Sequence, residues 1–210
     1  MNYPFSLPVV FFGFAALTSS LLADGKDYHD QDLKGKSFVG AALRGADFSD
    51  AILRNCDFSK ADIRGANFKG ADARATLAGA DATGADFREA TLGSYAEATD
   101  FSEANFEGCE MKGLGLFMAK FRGANLKKTK GWGNLSHCDL SNADIRGANF
   151  RGMWITEGDV PRLRGAIYDE DTSWPDNFDF KAAGAILSKE TKPATENSAD
   201  APKKKSPAAP

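Results

Sequence analysis

The sequence predicts an all-β solenoid, a rod of stacked coils, and the main evidence is a repeat of five residues. Between Ala41 and Asp72 a large apolar residue returns at every fifth position, and a small residue lies two places before it. The large residues are Leu43, Phe48, Leu53, Phe58, Ile63 and Phe68. A period of five fits neither an α-helix at 3.6 residues nor a flat strand at 2. It is typical of a chain that turns a corner in every unit, and fixed-period repeats of this kind indicate a solenoid.

The repeated unit resembles that of the pentapeptide-repeat family, A(D/N)LXX, and the resemblance extends from about Gln31 to Asp169. The resemblance implies a right-handed quadrilateral parallel β-helix with a terminal cap. We therefore expect a β-helix over residues 24–169 and a C-terminal cap over residues 170–187. Residues 188–210 are rich in Pro, Ala and Lys, and this low-complexity composition predicts a disordered tail.

The repeat slips at three places, and each slip can be read as a shortened corner. Leu77 follows Ala73 after four residues, and Phe101 and Leu135 each follow the previous centre after nine. With shortened corners, one face stacks Phe48, Phe68, Phe87, Phe106, Leu126 and Ile145 in successive coils. The predicted structural core is Leu43, Phe48, Leu53, Phe58, Ile63, Phe68, Phe87, Phe101, Phe106, Phe121, Leu126, Leu140, Ile145 and Phe150.

The N-terminal residues 1–23 contain the one sustained apolar run, from Phe5 to Ala23. Its length and the small residues that follow its core are typical of a cleaved signal peptide, which predicts an exported protein, periplasmic or secreted. No Lys or Arg precedes the run, and about 19 residues are just enough to span a bilayer. A retained membrane anchor, or neither role, therefore stays an alternative.

The surface predicted from the repeat is charged but neutralised. The residue before each centre is mostly Asp or Asn, and the residue after it is often Arg or Lys. The whole chain carries a formal net charge of -3. Composition therefore excludes a large single-sign field of the kind that steers a protein to nucleic acid or to a membrane.

No residues stand at the spacing of a catalytic, cofactor or metal site. Cys56, Cys109 and Cys138 take the place of the small inward residue, so we expect buried, unpaired thiols. His137 precedes Cys138, but the register points the cysteine inward and places the histidine at a corner. Trp132, between two glycines at a slip, is the candidate for an exposed aromatic contact, with local packing as the alternative.

The end of the solenoid needs a cover, because its last coil has unpaired backbone and exposed apolar side chains. Trp174, Phe178 and Phe180 are expected to cover that end, with Trp174 and Phe178 as the main cap residues. Pro175 is expected to end the strand pairing, because proline has no N–H to donate.

These observations predict an exported, non-enzymatic scaffold that binds an unknown protein partner or has a structural role. No cofactor and no nucleic acid are expected, and membrane contact is expected only if the N-terminal segment is retained. The alternative function is mimicry of DNA. Some members of the pentapeptide-repeat family, which this sequence resembles, are acidic dimeric rods that look like DNA and bind topoisomerase. Here the basic residues beside the acidic ones disturb that charge pattern.

Overall fold

The computed structural model describes residues 26–176 and 178–188, and their backbone forms stacked coils joined by parallel pairing. Asp27 pairs with Asp47 and Asp47 with Asn67, which makes each of these coils 20 residues long. Within the described ranges no helix has the length and apolar character needed to cross a membrane. The predicted signal peptide, residues 1–23, lies outside the described residues, as do residues 189–210 of the predicted tail.

Most coils are joined by single bridges, and longer strands occur in two sheets. Strands β1 (Asp72–Ala73), β2 (Thr91–Tyr95) and β3 (Glu110–Gly115) form a parallel sheet in that order. Strand β4 (Ile167–Tyr168) pairs in parallel with β5 (Ile186–Leu187). Because paired strands lie about 4.8 Å apart, the rod grows by about this distance with every coil.

The bridges define four faces, which we call A to D in chain order. Face A runs from Asp27 to Ile186, face B from Asp32 to Ser173, face C from Ser37 to Trp154 and face D from Ala42 to Arg162. Each bridging residue points outward and the next residue points into the rod, as for the half-buried Asp47 and the fully buried Phe48. The alternation leaves polar side chains outside and one large apolar side chain inside each unit.

The shortened corners are confirmed by the pairing. Asp57 pairs with Thr76, 19 residues later, and Asp86 pairs with Asn105, again 19 residues later. The inward residues of face A therefore stay aligned. Their rings stack at centroid distances of 4.9 Å for Phe48 and Phe68, 4.8 Å for Phe68 and Phe87, and 4.9 Å for Phe87 and Phe106. Stacked aromatic pairs at such distances add about 0.5–1.5 kcal/mol beyond their burial.

The structure buries all fourteen residues of the predicted core, each with at most 1% of its surface exposed. Alanines and the three cysteines occupy the small inward positions between them. Rings from the opposite faces A and C meet edge to face inside the rod, as for Phe48 and Phe58 with centroids 5.4 Å apart. Large and small side chains thus alternate around the coil and fill its interior.

The corners explain why Asp and Asn precede each centre. At one such corner the Ala51 N–H donates to the Phe48 carbonyl at 3.1 Å, and Asp50 takes a left-handed φ of 57°. The Asp47 Oδ1 atom accepts hydrogen bonds from the Ser49 N–H at 2.9 Å and from its hydroxyl at 2.6 Å. These bonds hold the pKa of Asp47 below its usual value, since they favour the charged carboxylate. The Asp side chain therefore closes the turn that the repeat requires.

Two arginines bind the corner carboxylate of Asp72. Arg74 Nε lies 2.6 Å from its Oδ1 atom and Arg54 Nε, one coil away, lies 2.5 Å from its Oδ2 atom. The hydrogen bonds from Arg74 and then Arg54 lower its pKa to about 2, although burial acts in the opposite direction. Its folded pKa is therefore below the unfolded value of about 3.9.

This shift predicts a loss of stability in acid. A depressed carboxylate pKa stabilises the fold above the unfolded pKa, and the contribution is lost as pH falls from about 4 through about 2. At pH 5, Asp72→Asn is expected to lower the free energy of unfolding by about 1–2 kcal/mol, a range reduced for partial exposure. Urea unfolding of both proteins at several pH values measures it. An equal difference at pH 5 and pH 2 would show that the charge of Asp72 is not involved.

The C-terminal end differs from the predicted boundary between β-helix and cap at Asp169. Parallel pairing continues beyond it, because Ser173 pairs with Asn149 and β5 pairs with β4. Pro175 therefore interrupts the pairing without ending it. The chain between these pairs makes turns over residues 180–184, so the last segment adds part of another coil.

The predicted cap residues pack on the last coil. The Trp174 ring stacks on Phe150 at 4.9 Å inside the rod and on Phe180 at 4.6 Å on its other side. Phe178 lies 5.8 Å from Trp174, and both are partly buried against the core. Trp174 is thus the last inward residue of face B, and Phe178 and Phe180 cover it.

Candidate interaction surface

Ion pairs cover much of the outer surface. Within a coil Arg88 Nη2 lies 2.5 Å from Asp86 Oδ2, and Arg64 pairs with Asp62 in the same way. Between coils Arg122 Nε lies 2.6 Å from Asp139 Oδ2. Such exposed pairs contribute little stability, about 0–1 kcal/mol each. They neutralise the acidic columns, so these columns do not form the continuous negative surface that mimicry of DNA would require.

Exposed apolar side chains among the described residues gather at particular places. One group lies at the C-terminal end of face A and consists of Ile167, Ile186 and Leu187. Val39 lies near the N-terminal end of the rod, after the face C residue Phe38. The largest group lies on face C and beside its corner with face D. We call this group the apolar surface, and it consists of Tyr95, Phe117, Met118, Trp154 and Val160, which are between 37% and 62% exposed.

Face C positions the two ends of the apolar surface. Tyr95 pairs with Gly115, Gly115 with Asn134, and Asn134 with Trp154. Three coil steps therefore separate Tyr95 from Trp154, a distance of about 14 Å along the rod. Between them the column contains Gly115, over which the Glu97 carboxylate lies, and Asn134. Exposed apolar groups that gather over such distances are typical of protein-binding surfaces.

The corner after face C supplies Phe117 and Met118. Phe117 packs against the ring of His137 in the next coil, with the two ring centroids 5.5 Å apart. Met118 takes the left-handed corner position with a φ of 61°. This backbone conformation is unfavourable for most residues other than Gly, Asn and Asp.

Residues 152–161 interrupt the repeat and add Val160 to the apolar surface. Asp139 pairs with Arg162, 23 residues later, because this coil contains the extra residues. The loop is fixed to the corner beneath it. The Thr156 N–H donates to Ser136 Oγ at 2.7 Å, and Asp159 Oδ1 lies 2.9 Å from His137 Nε2.

A groove of about 400 Å³ lies between this loop and face D. Phe117, Met118, His137 and Val160 form its apolar side. Lys120, Arg122, Asp139 and Arg162 form its charged side, which we call the floor of the groove. The groove is thus amphipathic, and its volume lies in the range of ligand pockets in proteins.

Trp132 is not part of the surface, and its prediction as an exposed contact is wrong. The structure exposes 2% of it. Its ring stacks on Phe150 at a centroid distance of 4.8 Å and meets Phe121 edge to face at 5.8 Å. The neighbouring Gly133 allows this inward position, because a Cβ there would collide with the Leu114 carbonyl oxygen. Trp132 therefore packs locally in the core, which was the alternative to an exposed contact.

His137 and Cys138 do not form a nucleophilic pair. The Cys138 thiol is fully buried and lies 2.9 Å from the Leu116 carbonyl oxygen, to which it donates. Burial raises its pKa to about 12, so the reactive thiolate is disfavoured. Among the residues that the structure describes, no group of His, Cys, Asp and Glu has the arrangement of a metal site.

All three cysteines are expected to be unreactive in the folded protein. Each is free and buried, and burial raises the pKa of all three thiols. A thiol reagent such as Ellman's reagent at mildly alkaline pH should modify none of them before unfolding and all three in concentrated guanidinium chloride. Rapid modification of one thiol in the native protein would contradict the closed core.

The repeat register contained a signal for the surface residues that the sequence prediction missed. Trp154 lies directly before the centre Ile155. It therefore has the outward position that Asp or Asn takes in most other units. Phe117 and Met118 follow the centre Leu116, where corner residues lie. Val160 and the contact of Asp159 with His137 depend on the path of an irregular loop, for which the period holds no information.

The comparisons agree with this geometry. The pentapeptide-repeat family ("Pentapeptide repeats") matches the chain with 8 copies over residues 37–72, 93–130 and 132–157. Among the curated proteins compared, none matches.

Solved structures of pentapeptide repeat proteins are similar to the chain. HetL of the cyanobacterium Nostoc sp. strain PCC 7120, involved in heterocyst differentiation regulation, is 23% identical, with a TM-score of 0.48, over 77% of this chain and 84% of that chain. QnrB1, a plasmid-mediated fluoroquinolone resistance protein, is 16% identical, with a TM-score of 0.35, over 78% and 94%. A thylakoid-lumen protein of Arabidopsis thaliana is 32% identical, with a TM-score of 0.19, over 55% and 66%.

The family assignment rests on the eight matched repeats and on coils that turn a corner every four or five residues. The inward Phe and Leu residues, the small residues before them and the Asp-closed corners are the physical form of that repeat. This chain belongs to the pentapeptide-repeat family and folds as a right-handed quadrilateral parallel β-helix.

Proposed function

We propose that this protein is an exported, non-enzymatic scaffold whose rigid β-helix presents a surface to a protein partner. The apolar surface on face C is the observation that carries the proposal. A soluble rod gains nothing from five exposed large apolar side chains in one region, while an interface gains the free energy of burying them. The surrounding ion pairs keep the rest of the rod hydrated.

The absence of enzymatic activity is supported by where the titratable groups lie. Active sites gather groups of perturbed pKa in a cleft around a reacting atom. Here the carboxylates of lowered pKa, such as Asp47, Asp72 and Asp86, are bound by their own corners. Their hydrogen bonds serve the fold, so they are poor candidates for acid or base catalysis.

Export is proposed from the apolar run before Ala23. Cells that produce the untagged protein would be fractionated, and its intact mass would be measured in each fraction. A shortened chain that starts near Leu21 or Asp24 outside the cytoplasm is expected. A full-length chain in the membrane fraction would instead indicate a retained anchor, and a full-length cytoplasmic chain would overturn export.

Partner binding is tested by affinity capture from the fraction that holds the protein. The wild-type chain should recover a discrete protein, and the double variant Phe117→Ser, Trp154→Ser should recover much less of it. Both positions are exposed, so the variant should keep the fold. Repeated capture of no specific protein by the wild-type chain would count against a scaffold function.

A further inference from the structure

The floor of the groove carries more positive than negative charge. Lys120, Arg122 and Arg162 face a single lining carboxylate, that of Asp139. Lys120 Nζ also lies 3.1 Å from Asp100 Oδ2, outside the groove, which leaves one positive charge in excess on the floor. The Asp159 carboxylate lies on the loop side instead, 2.9 Å from His137 Nε2. The chain as a whole is negative, with a net charge of -3, so this excess is local.

The opposite wall of the groove holds an apolar side chain in an unfavourable place. Met118 is 53% exposed and has a left-handed φ of 61°, so it gains little from burial while its backbone is disfavoured. The corner itself requires this backbone conformation, since Lys60, Glu103 and Lys128 adopt it at other corners. Met118 differs from them in its apolar side chain, which the fold leaves exposed and available for contact with a ligand.

Nucleic acid does not fit this arrangement. Binding to a phosphate backbone needs a basic stripe that continues along the surface. On face D no basic residue continues the column before Lys120, which consists of Ala42, Asp62, Asp81 and Asp100. In this column the basic side chains are therefore restricted to the groove, whose volume is about 400 Å³.

We propose that the groove binds an extended segment of a protein partner in which an apolar side chain lies next to carboxylates. The apolar side chain packs against Met118, Phe117 and Val160. The carboxylates meet Arg162 and Lys120 on the floor, and charge-assisted hydrogen bonds to Arg are among the stronger polar contacts. This inference rests on the proposed scaffold function and names the chemistry of the partner segment.

The proposal is tested with a display library of random seven-residue peptides and the purified full chain. Enriched sequences should combine an aromatic or aliphatic residue with neighbouring Asp or Glu. A synthetic peptide of the most enriched sequence, labelled with fluorescein, should then bind at least about tenfold more weakly to Met118→Gly and to Arg162→Glu. Changing its Asp and Glu to Asn and Gln should weaken binding to a similar degree.

Met118→Gly removes the side chain without a cost to the corner, because glycine readily adopts a positive φ. The melting temperature of this variant should therefore not fall. Lys60→Gly is the matched control, since Lys60 takes the same corner position three coils earlier with a φ of 59°. It should leave peptide binding unchanged.

Three results would overturn the proposal. One is enrichment of basic peptides, or of none above the level seen with the double variant Met118→Gly, Arg162→Glu. Another is equal binding of the enriched peptide to wild type and both single variants. The third is its full displacement by inorganic phosphate at matched ionic strength, which would indicate a simple anion site. If the double variant still captures the cellular partner, the scaffold function stands and the groove is not its site.

Discussion

Replacing Phe87 with alanine is expected to lower the free energy of unfolding by about 3–5 kcal/mol. The side chain is fully buried, and its ring stacks between Phe68 at 4.8 Å and Phe106 at 4.9 Å. Each coil of a solenoid contacts only its neighbours, so a cavity at this point weakens the connection between the two halves of the rod. Urea unfolding followed by far-UV circular dichroism measures the change.

Two further variants make the Phe87 test specific. Phe87→Leu keeps much of the volume and should cost about 1–2 kcal/mol. Arg88→Ala removes the adjacent outward side chain, which is paired with Asp86, and should cost about 1 kcal/mol or less. If Phe87→Ala were as mild as Arg88→Ala, the continuous aromatic stack on face A would be wrong.

Replacing Trp132 with alanine is expected to be as damaging, at about 3–5 kcal/mol, because it removes a buried ring between Phe121 and Phe150. An exposed contact residue would instead cost less than about 0.5 kcal/mol. The same urea titration therefore separates the buried position from the exposed one. Trp154→Ala is the control, since 57% of Trp154 is exposed.

Fluorescence gives an independent test of Trp132. The chain has three tryptophans, so replacing two of them by Phe leaves one emitter. Trp132 alone should emit at short wavelength and resist quenching by acrylamide, while Trp154 alone should be quenched readily. Equal quenching of both single-tryptophan proteins would contradict the burial of Trp132.

The period predicted the alignment of the aromatic core because alignment depends only on counting residues along the chain. With Leu77 following Ala73 after a shortened corner, Phe68 and Phe87 must stack, and their ring centroids lie 4.8 Å apart. The Asp-closed corners follow in the same way, since Asp47 and its equivalents recur with the period. Local repeats thus determine the coil, and pairing between coils determines the rod.

Counting residues along the chain could not predict that Trp132 points into the rod or how far the last coil extends. Trp132 leaves the register by lying between Gly131 and Gly133, and only the close approach of the Leu114 carbonyl shows why the glycine is needed. The pairing of Ile186 with Ile167 follows residues without a repeat. Both depend on contacts between distant parts of the chain.

Photo-cross-linking in the producing cell tests the interaction surface most directly. p-Benzoylphenylalanine would be placed at position 117, or at position 69 as a control. Lys69 has the same place after its centre but lies at the diagonally opposite corner of the rod, between faces A and B. Position 117 should yield a discrete cross-linked protein, and position 69 should not. Cross-links of equal yield from both positions, or none from position 117, would contradict a scaffold that binds through face C.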